Sequence, residues 1–226
     1  MAELAQKLLP NVLPKVDEII KATGETLLMI IVAGIISFIV GLFLGIILVV
    51  TKKGNILENE LIYYILEKII NITRSIPFII LLTLAIPLTR AIVGTAIGTK
   101  GSMIPLILGT VPFFVRQIES ALSELDNGVI EAAEAMGSSY FEIIIRVYLK
   151  ESIPNIVRAT TITLVSLVGL TAMAGAVGGG GLGDLAIRYG HQRYQTDVTV
   201  VTVVILLILV NLIQWVGNKV ISKTTH

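Results

Sequence analysis

Few residues in this chain could carry chemistry. Among 226 residues there are two histidines, His191 and His226, and no cysteine. Two histidines alone do not build a metal site, and without cysteine there is no thiolate nucleophile, thiolate ligand or disulfide. No Ser/His/Asp set or carboxylate pair falls within the apolar stretches. The glycines at 178–181 and 183 have the density of a phosphate-binding loop. Such a loop needs Lys followed by Ser or Thr after its last glycine, but Gly183 is followed by Asp184. The run reads instead as a flexible, closely packed outer turn or gate at the end of a helix. The remaining candidate is the polar interval 126–153. Ala and Glu in Glu131-Ala132-Ala133-Glu134-Ala135-Met136 are strong helix formers. Asp126-Asn127-Gly128 signals a turn before them, and Gly137 stands where a helix end favours a left-handed residue. Ser139 and Glu142 have capping-box spacing, and Ile143, Ile144, Ile145, Val147, Tyr148 and Leu149 give the helix that follows a broad apolar surface. A charged helix, a bend and an apolar helix make a surface for docking a partner.

The elements around this interval are those of a membrane protein. The chain is 54% hydrophobic and 15% charged, with mean hydropathy +0.89; soluble domains carry roughly 25% charge. A net charge of +1 argues against a nucleic-acid partner. A bilayer crossing takes about 20 apolar residues. The spacing predicts an all-α membrane protein of five transmembrane helices, at about 26–50, 61–88, 102–125, 155–177 and 198–218. Residues 1–25, broken by Pro10 and Pro14, read as a short interfacial helix rather than a secretory signal. Gly34, Gly41 and Gly45 lie near one face of the first span and suit close helix packing.

The second span carries Arg74-Ser75-Ile76-Pro77. Pro77 either opens a new helix or kinks a long one, and the single kinked helix is favoured. Arg74 then faces a water-filled cavity at depth, or, if the span starts near Ser75, snorkels at the interface. Residues 89–101 read as a turn, and 184–197 as a polar connection. Thr160, Thr161, Thr163, Ser166 and Thr171 enrich the fourth span in hydroxyls that can bond helix carbonyls. Trp215 and Lys219 suit an interface. With the polar interval inside, Lys and Arg near the membrane ends number nine inside against seven outside, which decides no orientation.

The interval 126–153 resembles the EAA loop of the membrane subunits of bacterial ABC importers: Glu-Ala-Ala, three residues, Gly, nine residues, Ile, one residue, Leu-Pro. Glu131-Ala132-Ala133, Gly137, Val147 and Leu149 fall at those spacings. Val147 replaces Ile, and Lys150 stands where Pro is usual, with Pro154 four residues later. Arg74-Ser75-Ile76-Pro77-Phe78-Ile79-Ile80-Leu81-Leu82, Ile92-Val93-Gly94-Thr95 and Ala172-Met173-Ala174-Gly175-Ala176-Val177-Gly178-Gly179-Gly180-Gly181-Leu182-Gly183 are similar to the methionine-importer branch. The match covers most of residues 25–220.

The resemblance implies a type I importer permease fold and a non-enzymatic transport subunit. It implies a homodimer of this chain paired with a homodimeric ATPase that holds ATP and Mg, and an extracytoplasmic substrate-binding lipoprotein. It further implies the bacterial inner membrane, with the N-terminus outside and the C-terminus cytoplasmic. Glu131, Ala132, Ala133, Ala135, Met136 and Gly137 would form the coupling element docked on the ATPase. Arg74, Pro77, Ser166, Met173 and Gly178 are candidates for the substrate pathway or gate, Met173 foremost, with Thr163 a weaker one. No cofactor is expected on this chain. The competing reading is a self-sufficient secondary transporter or channel, which needs intramembrane acids for coupling; Glu67 and Glu119 are the nearest, both towards helix ends. A membrane scaffold or enzyme subunit is the third reading.

Overall fold

A computed structural model of the chain describes residues 9–224, so Lys7 and His226 lie outside it. The described residues are helical, without strands. After a short turn of 3-10 helix, Leu13–Lys15, come α1 (Val16–Val50), α2 (Glu60–Ser75), α3 (Phe78–Leu84), α4 (Ile86–Val93), α5 (Gly98–Ser123) and α6 (Asn127–Ala135). Then follow α7 (Tyr140–Glu142), a π-helical stretch Ile143–Leu149, α8 (Ile153–Ala176), α9 (Gly181–Leu185), a second π-helical stretch Ala186–His191, and α10 (Thr196–Thr224). Four helices among the described residues are long and apolar enough to cross a membrane: Leu13–Val50, Gly98–Ser123, Ile153–Ala176 and Thr196–Thr224. Their outward residues are apolar. Ile31, Ile35, Ile39 and Phe43 on α1, at four-residue spacing, are each more than half exposed. Val200, Val203, Val204, Leu207, Ile208 and Leu212 make a similar stripe on α10, each 47–60% exposed. A water-facing surface does not leave such stripes bare.

The expected second span is not one kinked helix. Ile76 is extended (φ −80°, ψ 120°), and Pro77 caps the start of α3. A residue before proline is pushed out of the α region by the ring, so Pro77 opens a helix. The chain breaks again at Ala85, and Pro87 lies in the first turn of α4. Residues expected as turn, 89–93, belong to α4, which ends at left-handed Gly94. Among the described residues, the part of 1–25 expected as a short interfacial helix is continuous with the first span from Val16 onward.

Contacts divide the chain into two compact units. One comprises residues through 34, 77–107 and 164–213; the other comprises 35–76, 108–163 and 214 onwards. The first unit has two cores. Met29, Ile30, Ala33, Leu106, Leu167 and Val168 form one, and Val12, Ile19, Ala22, Leu182, Leu185, Tyr189 and Val198 the other. In the second unit Val49, Val50, Phe114, Ile118, Ala121 and Leu122 pack with Ile130, Ala133, Ile143, Tyr148 and Ala159.

Close approach of α1 and α5 in the second unit depends on glycine. A Cβ on Gly41 would sit 2.6 Å from Phe114 Cδ1, and one on Gly45 would sit 2.6 Å from Ile118 Cγ2 and 2.7 Å from its Cβ. The expected small-residue face is therefore a packing face. Arg116 ties α5 to α2, donating to Glu119 and to Glu67 (3.4 Å) and Asn71 (2.8 Å). Gly45→Val forces a branched side chain against Ile118, and overpacking of this kind costs about 1–3 kcal/mol. Thermal unfolding in detergent should show a lower midpoint for Gly45→Val and an unchanged or higher one for Gly24→Ala, where nothing lies within 4 Å and Ala favours the helix over Gly.

Candidate functional site

The interval 126–153 lies within the second unit and is built as a rigid bent rod. Asp126 caps α6, its carboxylate accepting from the N–H of Gly128 at 2.8 Å. At the other end the N–H of Ser138 donates to Ala133 O (3.1 Å) and that of Gly137 to Glu134 O (2.9 Å). This is the Schellman pattern, which needs a left-handed residue after the cap; Gly137 supplies it with φ +80°. Ser139 and Glu142 form the expected capping box: the Ser139 N–H donates to Glu142 Oε2 at 3.1 Å, and the Glu142 N–H to Ser139 Oγ at 3.4 Å. The Ser139 N–H, then its hydroxyl, then nearby Arg146 hold the Glu142 carboxyl below the usual range.

One side of the rod is buried and the other is bare. Ile130 and Ala133 face the core made by the ends of α1 and α5. Burial of a side chain such as Ile130 contributes roughly 1.5–3 kcal/mol. Glu131, Ala132, Ala135 and Gly137 are exposed, and Met136, Tyr140 and Phe141 are 79%, 53% and 73% exposed. Of the expected docking residues, only Ala133 faces inward. A cleft of about 240 Å³ separates α6 from the turn after α1, lined by Gly54, Asn55, Ile56, Asn127, Ile130, Glu131 and Glu134. A second, of about 230 Å³, lies beside Asn55 and Tyr148.

The rod's second arm departs from an α-helix. Ile143 and Tyr148 are both fully buried, yet residues five apart on an α-helix point about 140° away from each other. The π-helical stretch Ile143–Leu149 removes that conflict by widening the turn. The Tyr148 hydroxyl then donates to Asn55 Oδ1 at 2.6 Å. Burial pushes the Tyr148 phenol up, which keeps it a proton donor. Lys150, where proline is usual, stays helical (φ −68°, ψ −47°), and its N–H bonds to Val147 O. The exit therefore runs on to α8, where Pro154 sits within the first turn.

The pathway candidates fall into both units. In the first, Ser166 and Met173 share a bare face of α8 with Gly169, continued just past its end by Val177, spaced three or four residues apart. Met173 is 40% exposed. Thr163, in the second unit, is buried with its hydroxyl donated to Ala159 O at 2.8 Å, so it lines nothing. Arg74, also in the second unit, is exposed at the last turn of α2, where a cation meets the negative end of the helix dipole. Pro77, in the first unit, is exposed ahead of α3.

The glycine run is closely packed, as its composition predicts. Gly178, Gly180 and Gly181 have positive φ, and a Cβ on Gly179 would meet Ser102 Oγ at 2.3 Å. The chain itself supplies the anion at this turn: the N–H of Gly181 donates to Glu25 Oε2 (2.8 Å), and that of Leu182 to Thr26 Oγ1 (2.9 Å). No phosphate is needed there. The residues after it, expected as a polar connection, form α9 and the second π-helical stretch. Glu25, Thr26 and Asn55 carried no pattern that marked them in the sequence, and Tyr148 was marked only as part of the apolar surface of the helix after Ser139.

Residues 37–224 match the family model for the binding-protein-dependent transport system inner membrane component. The chain belongs to this family. Two curated relatives of this inner membrane component are named D-methionine transport system permease protein MetI. That of Yersinia pestis is 48% identical over 143 residues, 63% of this chain and 66% of the relative. That of Escherichia coli strain K12 is 46% identical over 145 residues, 64% and 67% respectively. A chain of the inward-facing MetNI methionine ABC transporter superposes with TM-score 0.92 at 45% identity, covering 94% of this chain and 99% of that one. A chain of an amino acid ABC transporter, at 17% identity and TM-score 0.78, shares the fold. The inner membrane component thus has the type I importer permease fold, and as a permease it is a transport subunit, not an enzyme.

The bend at Gly137 and the capping box each generate an expectation. A residue other than glycine at the φ of Gly137 costs about 1–2 kcal/mol, so Gly137→Val should loosen the bend, seen as faster amide exchange at Ser138. The depressed Glu142 carboxyl stabilises the box at neutral pH, and that contribution is lost as pH falls through the carboxylate range. In an NMR titration Ser139→Ala should move the Glu142 midpoint upward.

Proposed function

We propose that this chain is the permease of an ATP-driven importer for methionine, in either stereochemical form, working by alternating access. Two copies of it form the pathway, and a separate ATP-binding subunit pair docks on α6 and the bend at Gly137. The observation that carries this reading is the bare face of Glu131, Ala132, Ala135 and Met136 on an element whose opposite face is locked into the core. A lever must be rigid on the side that transmits and free on the side that is pushed. The methionine-transport names of relatives at 46–48% identity support the substrate class.

The docking surface is cytoplasmic on this reading, which puts the N-terminus outside and the C-terminus inside the bacterial inner membrane. The segmented stretch of α2, α3 and α4 makes the fifth crossing that no single helix there is long enough to make. An extracytoplasmic binding protein delivers substrate, and in the first unit the α8 face of Ser166 and Met173, with Pro77 and the turn at Gly178, lines or gates the route; Arg74, in the second unit, is a separate candidate. ATP and Mg reside on the partner; this chain needs no cofactor.

A self-sufficient transporter couples through free intramembrane acids. Glu67 and Glu119 are both engaged by Arg116, which favours the ATP-driven reading. In vesicles holding this chain, its ATP-binding subunit and a methionine-binding protein, methionine should accumulate only with internal ATP. Uptake by this chain alone, without the ATPase, would overturn the proposal.

A further inference from the structure

The contact between Tyr148 and Asn55 joins two cytoplasm-facing elements of the second unit, and nothing in the importer reading requires it. Tyr148 lies on the rod's second arm, and Asn55 in the turn that ends α1. The turn is itself folded back onto the helix end: the N–H of Leu57 donates to Val50 O (3.0 Å) and that of Asn59 to Thr51 O (2.9 Å). Asn55 Oδ1 also accepts from the N–H of Ile56 at 2.8 Å, so the amide is aimed before Tyr148 arrives. Clefts lie on either side of this point, between the turn and α6 and beside Tyr148. The hydroxyl bond therefore adds a directed contact, between two clefts, to the core in which Tyr148 is buried with Val49 and Val50. Side-chain geometry is set by the π-helical stretch, which turns Tyr148 inward beneath Ile143 at the expense of regular α-helical bonding.

We infer that Tyr148 and Asn55 are positioning residues that couple displacement of the docked rod to the end of α1, so that the hydrogen bond sets how much substrate moves per ATP hydrolysed. The inference rests on the importer reading. When α6 is pushed, the core of Ile130 and Ala133 carries load to α1 and α5 through contacts that can slide. A directed 2.6 Å bond at Asn55 carries it without slip, to the last turn of the longest helix in the chain. Without the bond, the ATPase can still close and hydrolyse, but part of the stroke is lost between rod and helix.

The test measures methionine imported per ATP hydrolysed by the full permease–ATPase complex in vesicles, with the binding protein present. Tyr148→Phe keeps the ring and removes the donor; Asn55→Ala removes the acceptor; Asn55→Asp keeps an acceptor. Loss of one hydrogen bond corresponds to about a fivefold change in an equilibrium. The ratio is expected to fall about fivefold in Tyr148→Phe and in Asn55→Ala, no further in the double variant, and to be kept in Asn55→Asp. ATP hydrolysis per complex stays near the wild-type rate. An unchanged ratio in both single variants overturns the inference while leaving the importer reading intact. So does a loss of transport that only follows loss of assembled complex or thermal stability, since a purely structural contact does that. Failure of the wild-type complex to import methionine on ATP overturns the reading and the inference together.

Discussion

The seating of Ile130 and Ala133 against the ends of α1 and α5 is the constraint on which the rest depends. It holds a polar, exposed rod at a fixed place on an apolar bundle. If those residues were not buried, α6 would be nine residues of isolated helix, far below the length at which a helix is stable in water. Its caps stop fraying but do not supply the missing stability. The capped ends and the core together turn a surface segment into a part that can bear load.

The first unit solves a different problem. A glycine-rich turn leaves several N–H groups without helical partners, and burying them unpaired would be costly. Glu25 and Thr26 of α1 take the N–H groups of Gly181 and Leu182, while the N–H of Gly98 donates to Gly178 O. A sequence that looks made for phosphate is in fact filled by its own carboxylate. The same self-sufficiency appears at Arg116, whose two carboxylate neighbours leave no free acid in that part of the second unit.

Much of this was legible in the sequence because it depends on local chemistry. Gly137, Ser139 and Glu142 announce a bend and a box by type and spacing alone, and uncharged runs announce long helices by length. The break at Ile76 and Pro77 was one of two readings of the same motif. Which one wins depends on whether neighbours tolerate the freed carbonyls, and a single chain of letters does not contain that. The π-helical stretch was hidden for a similar reason. Its six apolar residues among seven fit any helix, and only tertiary burial of both Ile143 and Tyr148 demands the wider turn. Asn55 was hidden because its partner is 93 residues away.

The central claim is that the bare face of α6 meets an ATP-binding subunit while its other face belongs to the core. The most direct measurement is site-specific photo-cross-linking in intact cells, with the probe placed in turn at Ala132, Ala135 and Ala133. The account predicts adducts to the ATP-binding subunit from exposed Ala132 and Ala135, and none from Ala133, which is 4% exposed. No adduct from either exposed position, or equal capture from all three, would contradict it.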